Sequence, residues 1–174
     1  MKRAVLLALL AFSGCGYSLA GRGAFLPAHI KTIGVPTFVN QTDRVDLEKK
    51  LTEEVVQELN SRGKYVVRPE PTGVDAVLDG RVTAFVVTPV TFEAGAAGQT
   101  ASQASRYAVQ VRVRIEFKDL IQNKVLWADA NFGIREEYEV GDNPDDFFDQ
   151  ENLSIDRLSR EFAKTLVSRI LEAF

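Results

Sequence analysis

Apolar and polar positions alternate most regularly between Arg106 and Lys118. Tyr107, Val109, Val111, Val113, Ile115 and Phe117 interleave with Gln110, Arg112, Arg114, Glu116 and Lys118. A period of two predicts a strand with one face in a core and the other wet and mostly basic. Asp75 to about Phe92 predicts a second long strand, with Leu78, Val82, Ala84 and Val86 on one side and Asp79, Arg81 and Thr83 on the other. Gly80 inside it marks a bulge or a close approach by another backbone. Pro89 places the far end outside a fully paired sheet centre. The intervening segment 93–105 is small, polar and without period, as in a hairpin tip. Asp119 to Lys124 reads as a turn, with Asn123 where a left-handed residue is tolerated. A return strand then runs from Val125 to about Tyr138. Simple alternation puts Leu126, Ala128, Ala130, Phe132 and Ile134 on its core face and Trp127 on the opposite one.

Elsewhere the period lengthens. Leu47, Leu51, Val55 and Leu59 recur four apart among Glu48, Lys49, Glu53, Glu54 and Glu58, which predicts an amphipathic helix closed by Arg62-Gly63. Asn40-Gln41-Thr42-Asp43 before it is a turn with capping residues. Leu158, Phe162, Leu166 and Ile170 mark the buried stripe of a second, C-terminal helix, with Arg157, Arg160, Lys164 and Arg169 facing away. Asn143-Pro144-Asp145-Asp146 supplies its start signal. Phe147 and Phe148 precede the clear period, so either the helix begins early or these rings pack on a neighbour. Ile30 to Val35 is a β-rich first strand ending near Pro36, and Tyr65-Val66-Val67 is a short one. His29, the only histidine, reads as a surface residue.

Together these elements predict an α+β fold, a two-layer α/β sandwich. Two amphipathic helices pack on one face of a mixed, mostly antiparallel sheet of about four strands. The first strand–helix–strand unit is expected to be a right-handed crossover with parallel strands. The second sheet face is left to solvent or a partner.

The N-terminus changes where this fold must work. Lys2 and Arg3 precede an apolar run from Ala4 to Phe12, then Ser13, Gly14 and Cys15. A basic start, a short apolar run and small residues form a secretory signal, and the run falls well short of the ~20 residues of a spanning helix. The ending on Cys15 resembles the lipobox of bacterial lipoproteins, in which the cysteine thiolate takes a diacylglycerol and the signal is cut. The expected organisation is a signal peptide at 1–14, a lipidated Cys15 with a flexible tether at 15–28, and one domain at 29–174.

Charge and cysteine count narrow the chemistry. The chain holds 21 basic and 24 acidic residues; without Lys2 and Arg3 the balance is 19 to 24, net −5. That argues against a nucleic-acid binder. With one cysteine there is no internal disulfide, so packing must hold the fold. No nucleophile elbow, Walker loop or His/Cys group is present, so the reading is non-enzymatic, with no metal and no cofactor. Asp142, Asp145, Asp146 and Asp149 fit a turn and helix start better than a calcium loop.

Several short motifs carry a family likeness in order along nearly the whole mature chain. They are Cys15-Gly16-Tyr17-Ser18-Leu19, Leu26-Pro27, the segment from Ile33 to Thr42 (Ile-Gly-Val-Pro-Thr-Phe-Val-Asn-Gln-Thr), Ala76-Val77-Leu78-Asp79-Gly80, Val125-Leu126-Trp127, Arg135-Glu136-Glu137-Tyr138 and the closing helix. In these the chain resembles the LPS-assembly lipoprotein family, LptE. The resemblance implies a periplasm-facing, lipid-anchored outer-membrane protein. Such a protein plugs and helps assemble an LptD-type β-barrel and binds lipopolysaccharide on its way to the outer leaflet. The alternative is another outer-membrane lipoprotein with a similar sandwich, of a curli-secretion-like or cell-wall-synthase-activating kind. Arg112, Arg114 and Lys118 on one strand face, with Arg81 on a neighbour, are the candidate contacts to lipid A phosphates. The competing reading is a solvated face neutralised by Asp79 and Glu116.

Overall fold

The computed structural model describes residues 26–93, 103–140 and 146–174. The signal segment, Cys15, most of the tether, the centre of the 93–105 loop and Asn143-Pro144-Asp145 lie outside the described residues. The elements are β1 (Thr32–Gly34), β2 (Val39–Asn40), α1 (Leu47–Ser61), β3 (Val66–Arg68), β4 (Ala76–Glu93), β5 (Gln103–Asp119), β6 (Lys124–Glu139) and α2 (Asp146–Glu172). Strands run in the order β3-β1-β4-β5-β6, with β2 continuing the β4 edge past the end of β1. The sheet therefore has six strands rather than about four, because Val39–Asn40 pairs with Arg81–Val82 and Val66–Arg68 adds an outer strand. β1 is parallel to both β3 and β4, as a crossover unit demands, whereas β4, β5 and β6 form an antiparallel meander.

Both helices lie on one side of this sheet. Leu47, Leu51, Val55 and Leu59 of α1, with Leu158, Phe162, Leu166 and Ile170 of α2, meet Val109, Val111, Val113, Ile115 and Phe117 of β5 in one core. The C-terminal helix begins at Asp146, within its predicted start signal and well before the 158–170 stripe, and the Phe147 ring also packs on neighbours: Tyr107 at 5.0 Å and Tyr138 at 6.0 Å. Leu26 is buried in the same core, and its N–H donates to the Tyr65 hydroxyl at 3.2 Å.

Three local details depart from simple alternation. In β4 a register shift between Val82 and Ala84 flips the faces beyond it, so Phe85 and Val87 pack on the core and Val86 is exposed. The bulge lies at Thr83, not at Gly80. At Gly80 the close neighbour is a side chain, since an added Cβ would sit 2.6 Å from the Phe38 ring. In β6 a second shift, with Ile115 opposite Asp129 and Val113 opposite Phe132, reverses the parity upstream. Trp127 therefore stands on the core side, 6.2 Å from Phe132 ring to ring, and Ala128 and Ala130 face solvent.

The turn before α1 is organised by Asn40, whose Oδ1 accepts from the Thr42 N–H and hydroxyl while its Nδ2 donates to Arg44 O and Glu48. The cap itself is Asp46, left-handed at φ 62° and without a side-chain capping bond. Gly63 at φ 66° ends the helix in the way Arg62-Gly63 predicts.

Candidate ligand-binding face

The face of the sheet away from the helices collects the charges that strand alternation turns outward. Arg81 of β4 lies directly opposite Arg114 of β5, and one rung on, Asp79 lies opposite Glu116. Arg112 is opposite Ala84, just past the Thr83 bulge, and the Thr83 hydroxyl donates to the Arg112 carbonyl at 3.2 Å. Lys118 sits between Val77 and Val125 and is half-buried. The structure thus brings Arg81, Arg112 and Arg114 together as exposed neighbours and leaves Lys118 two rungs away, beyond the acidic pair.

Like charges face each other across both rungs, an arrangement that costs stability. Asp79 and Glu116 do not neutralise the arginines directly: among the described residues no ion pair within 4.0 Å involves Arg81, Arg112, Arg114 or Lys118. Partial burial, then the Glu116 charge, pushes the Asp79 carboxyl above its ordinary range. Arg81, Arg114, Asp79 and Glu116 border an open hollow with Val39 and Gly80. Such a hollow has cations positioned for a bidentate oxyanion contact on one side and acids on the other.

A second polar cluster had no signal in the sequence. His29 is not a simple surface residue. Its Nε2 donates to Oδ2 of Asp119 at 2.6 Å, across 90 positions, and the Asp119 side chain is completely buried. Asp119 Oδ1 accepts from the N–H groups of Ile121 (2.8 Å) and Gln122 (2.9 Å), which fixes the β5–β6 turn. Beside it Asp75 accepts from the N–H groups of Lys31 and Thr32 and from the Thr32 hydroxyl. Burial alone would push the Asp119 carboxyl up, but the Gln122 N–H, the His29 ring and the Ile121 N–H outweigh it and hold it below the usual carboxylate range.

The sign of the pH effect follows from that net lowering. A folded pKa below the unfolded value gives stability that is present above about pH 4 and is lost as pH falls through the folded value. Asp119→Asn is therefore expected to lower the melting temperature by about 5 °C near neutral pH. The gap to the parent should close as the pH is taken below about 4. Thermal melts across that range check it, and a gap that stays constant with pH would remove the electrostatic account.

At the other end of α2, Arg44 reaches the buried Glu151 at 2.8 Å and lies 5.6 Å from the Phe85 ring. Burial first, then Glu151 and Tyr107, pushes the nearby Tyr138 hydroxyl up to about 12, with Arg44 acting in the opposite sense. A phenol held there stays neutral and is poorly suited to move protons near neutrality. Among the described residues no group of His, Cys, Asp and Glu is placed to hold a metal ion, and no helix is long and apolar enough to cross a membrane.

Comparison with known proteins adds to this geometry. Residues 30–171 match the family model described as "LptE: Lipopolysaccharide-assembly". No curated protein matches the chain. Among solved structures, the hypothetical protein CT253 from Chlamydia trachomatis is similar with a TM-score of 0.53 at 10% identity, over 82% of this chain and 96% of that one. The PelC dodecamer protein from Paraburkholderia phytofirmans is similar with a TM-score of 0.50 at 17% identity, over 87% and 94%. At these identities the likeness concerns the fold alone.

Proposed function

Because the chain belongs to the LptE lipopolysaccharide-assembly family, we propose that it is a non-enzymatic outer-membrane lipoprotein. It is anchored through acylated Cys15, faces the periplasm, plugs and helps assemble an LptD-type β-barrel, and binds lipopolysaccharide there. The family match over almost the whole packed domain supports the barrel partnership. The ligand contact rests on one observation, the Arg81–Arg114 rung beside exposed Arg112. Two arginines opposite each other on a sheet bring two guanidinium groups to one hollow, and a guanidinium group can form charge-assisted, bidentate bonds with phosphate oxygens. Lys118, half-buried and past the acidic rung, plays the lesser part.

Two measurements test this reading. The tagged full-length protein, drawn from its native membrane in mild detergent, is expected to bring a large β-barrel with it in equal amount. A peptidoglycan synthase or a secretion pore in its place would discard the lipopolysaccharide role and favour the alternative lipoprotein class. Separately, Arg81→Gln with Arg114→Gln should weaken lipopolysaccharide binding by about tenfold or more. The fold should hold, since the change removes a like-charge pair. Unchanged binding in that double variant would clear the arginine rung of any ligand role, as would unchanged binding on neutralising Arg112 and Arg114 together.

A further inference from the structure

The register of the sheet lines up one end of the domain. Val66, Thr32 and Ile33, Ala76, Asp119 and Lys124 succeed one another across the strands from β3 to β6. The chain enters the domain at this same end, because His29, three residues after Leu26, is bonded to Asp119. Beyond that rung the β5–β6 turn projects, carrying exposed Leu120 and Ile121 ahead of the polar Gln122 and Asn123, and Val125 follows just inside the rung on β6. Ile121 is 60% exposed, Val125 45% and Leu120 38%.

Single exposed aliphatics are ordinary on a protein surface. Two adjacent ones on a turn whose backbone is pinned by a buried carboxylate, with a third on the strand that follows, are not accounted for by the fold. The turn is further tied down by the Leu120 N–H, which donates to the Asp75 carbonyl at 2.8 Å in addition to the two bonds that Asp119 accepts. The charge around it is sorted. The two carboxylates at this end, buried Asp119 and half-buried Asp75, are both taken up by backbone donors, while Lys31 and Lys124 are exposed.

We infer that the β5–β6 turn is a membrane-contact site: Leu120 and Ile121 seat in the headgroup–acyl boundary of the bilayer that carries the Cys15 anchor, with Lys124 and Lys31 against anionic lipid headgroups. The inference rests on the anchor reading of Cys15. Eleven residues from Cys15 to Leu26 span at most about 40 Å, whereas β4, with 18 residues, extends about 60 Å from this end to the other. The tether thus holds the entry end within about 40 Å of the lipid, the end that carries this turn. Apolar residues flanked by lysines are the side chains that partition into an interface of that kind.

The test uses the full-length protein purified from membranes, with Ile121→Cys carrying an environment-sensitive dye and Thr88→Cys, exposed on β4 toward the far end, as the control. Each is reconstituted alone in vesicles of phosphatidylethanolamine and phosphatidylglycerol with brominated acyl chains, and acylation of Cys15 is read by mass spectrometry of the N-terminal peptide. The expected result is acylated Cys15, loss of most of the fluorescence at position 121, and none lost at position 88. With Cys15 acylated, equal quenching at the two positions, or none at either, overturns the contact site and leaves the anchor standing. An unacylated Cys15 overturns the anchor and the contact site together.

Discussion

Phe162→Ala is expected to cost the domain about 3–5 kcal/mol, a large fraction of its stability. The ring is completely buried on α2, with Phe132 of β6 at 5.2 Å and Phe38 at 6.4 Å, both edge-on. Its removal loses the transfer free energy of a phenyl group and the dispersion contacts around the void, and flanking strands cannot collapse into the gap without breaking their ladders. Such truncations cost about 3–5 kcal/mol, against a total stability of about 5–15 kcal/mol for a domain of this kind. Urea titration of parent and variant gives the difference directly. A loss below about 1 kcal/mol would mean that the helix layer is far less committed to this ring than the packing indicates.

Gly80→Ala should be the next most damaging single change, although it adds only a methyl group. The new Cβ would lie 2.6 Å from three carbons of the Phe38 ring, so it points at the ring face and not at its rim. Phe38 is itself buried and edge-packed on Phe162, so the ring cannot yield without disturbing α2. Overpacking of this sort costs about 1–3 kcal/mol. The mechanism is checked in a Phe38→Ala background, where Gly80→Ala should cost almost nothing because the space is already vacant. Equal costs in the two backgrounds would move the explanation from the ring to the strand backbone.

Gly80 also illustrates what could be read in advance. A glycine in a strand announces a close approach, but not by what, since Phe38 comes from a segment about forty positions earlier. The long strands, both helices, the parallel crossover and the basic face of β5 follow from periodicity, because period-two and period-four patterns are written in neighbouring residues. The faces of Trp127 and Val86 do not follow. One extra residue in a strand inverts every side chain beyond it, and the shifts at Thr83 and between Asp129 and Phe132 are set by pairing with β5. β2 is too short to carry a pattern at all. The pairing of Arg81 with Arg114 needed the register, which alternation within one strand leaves open. Asp119 was legible as the opening residue of a turn, but its bond to His29 joins two positions that no local pattern connects.

β1 is only three residues long, yet it lies between β3 and β4, parallel to both, and begins at the end of the domain where the chain enters. In mechanical terms, tension drawn outward from Leu26 along the strand axis does not peel this strand away bond by bond. It loads the slanted hydrogen bonds to both neighbours together, in shear, and it must first pull Leu26 from the core and His29 from Asp119. The entry point is thus a clamp in series with a shear joint. A chain held by its N-terminus would load β3 and β4 together before β1 let go of either.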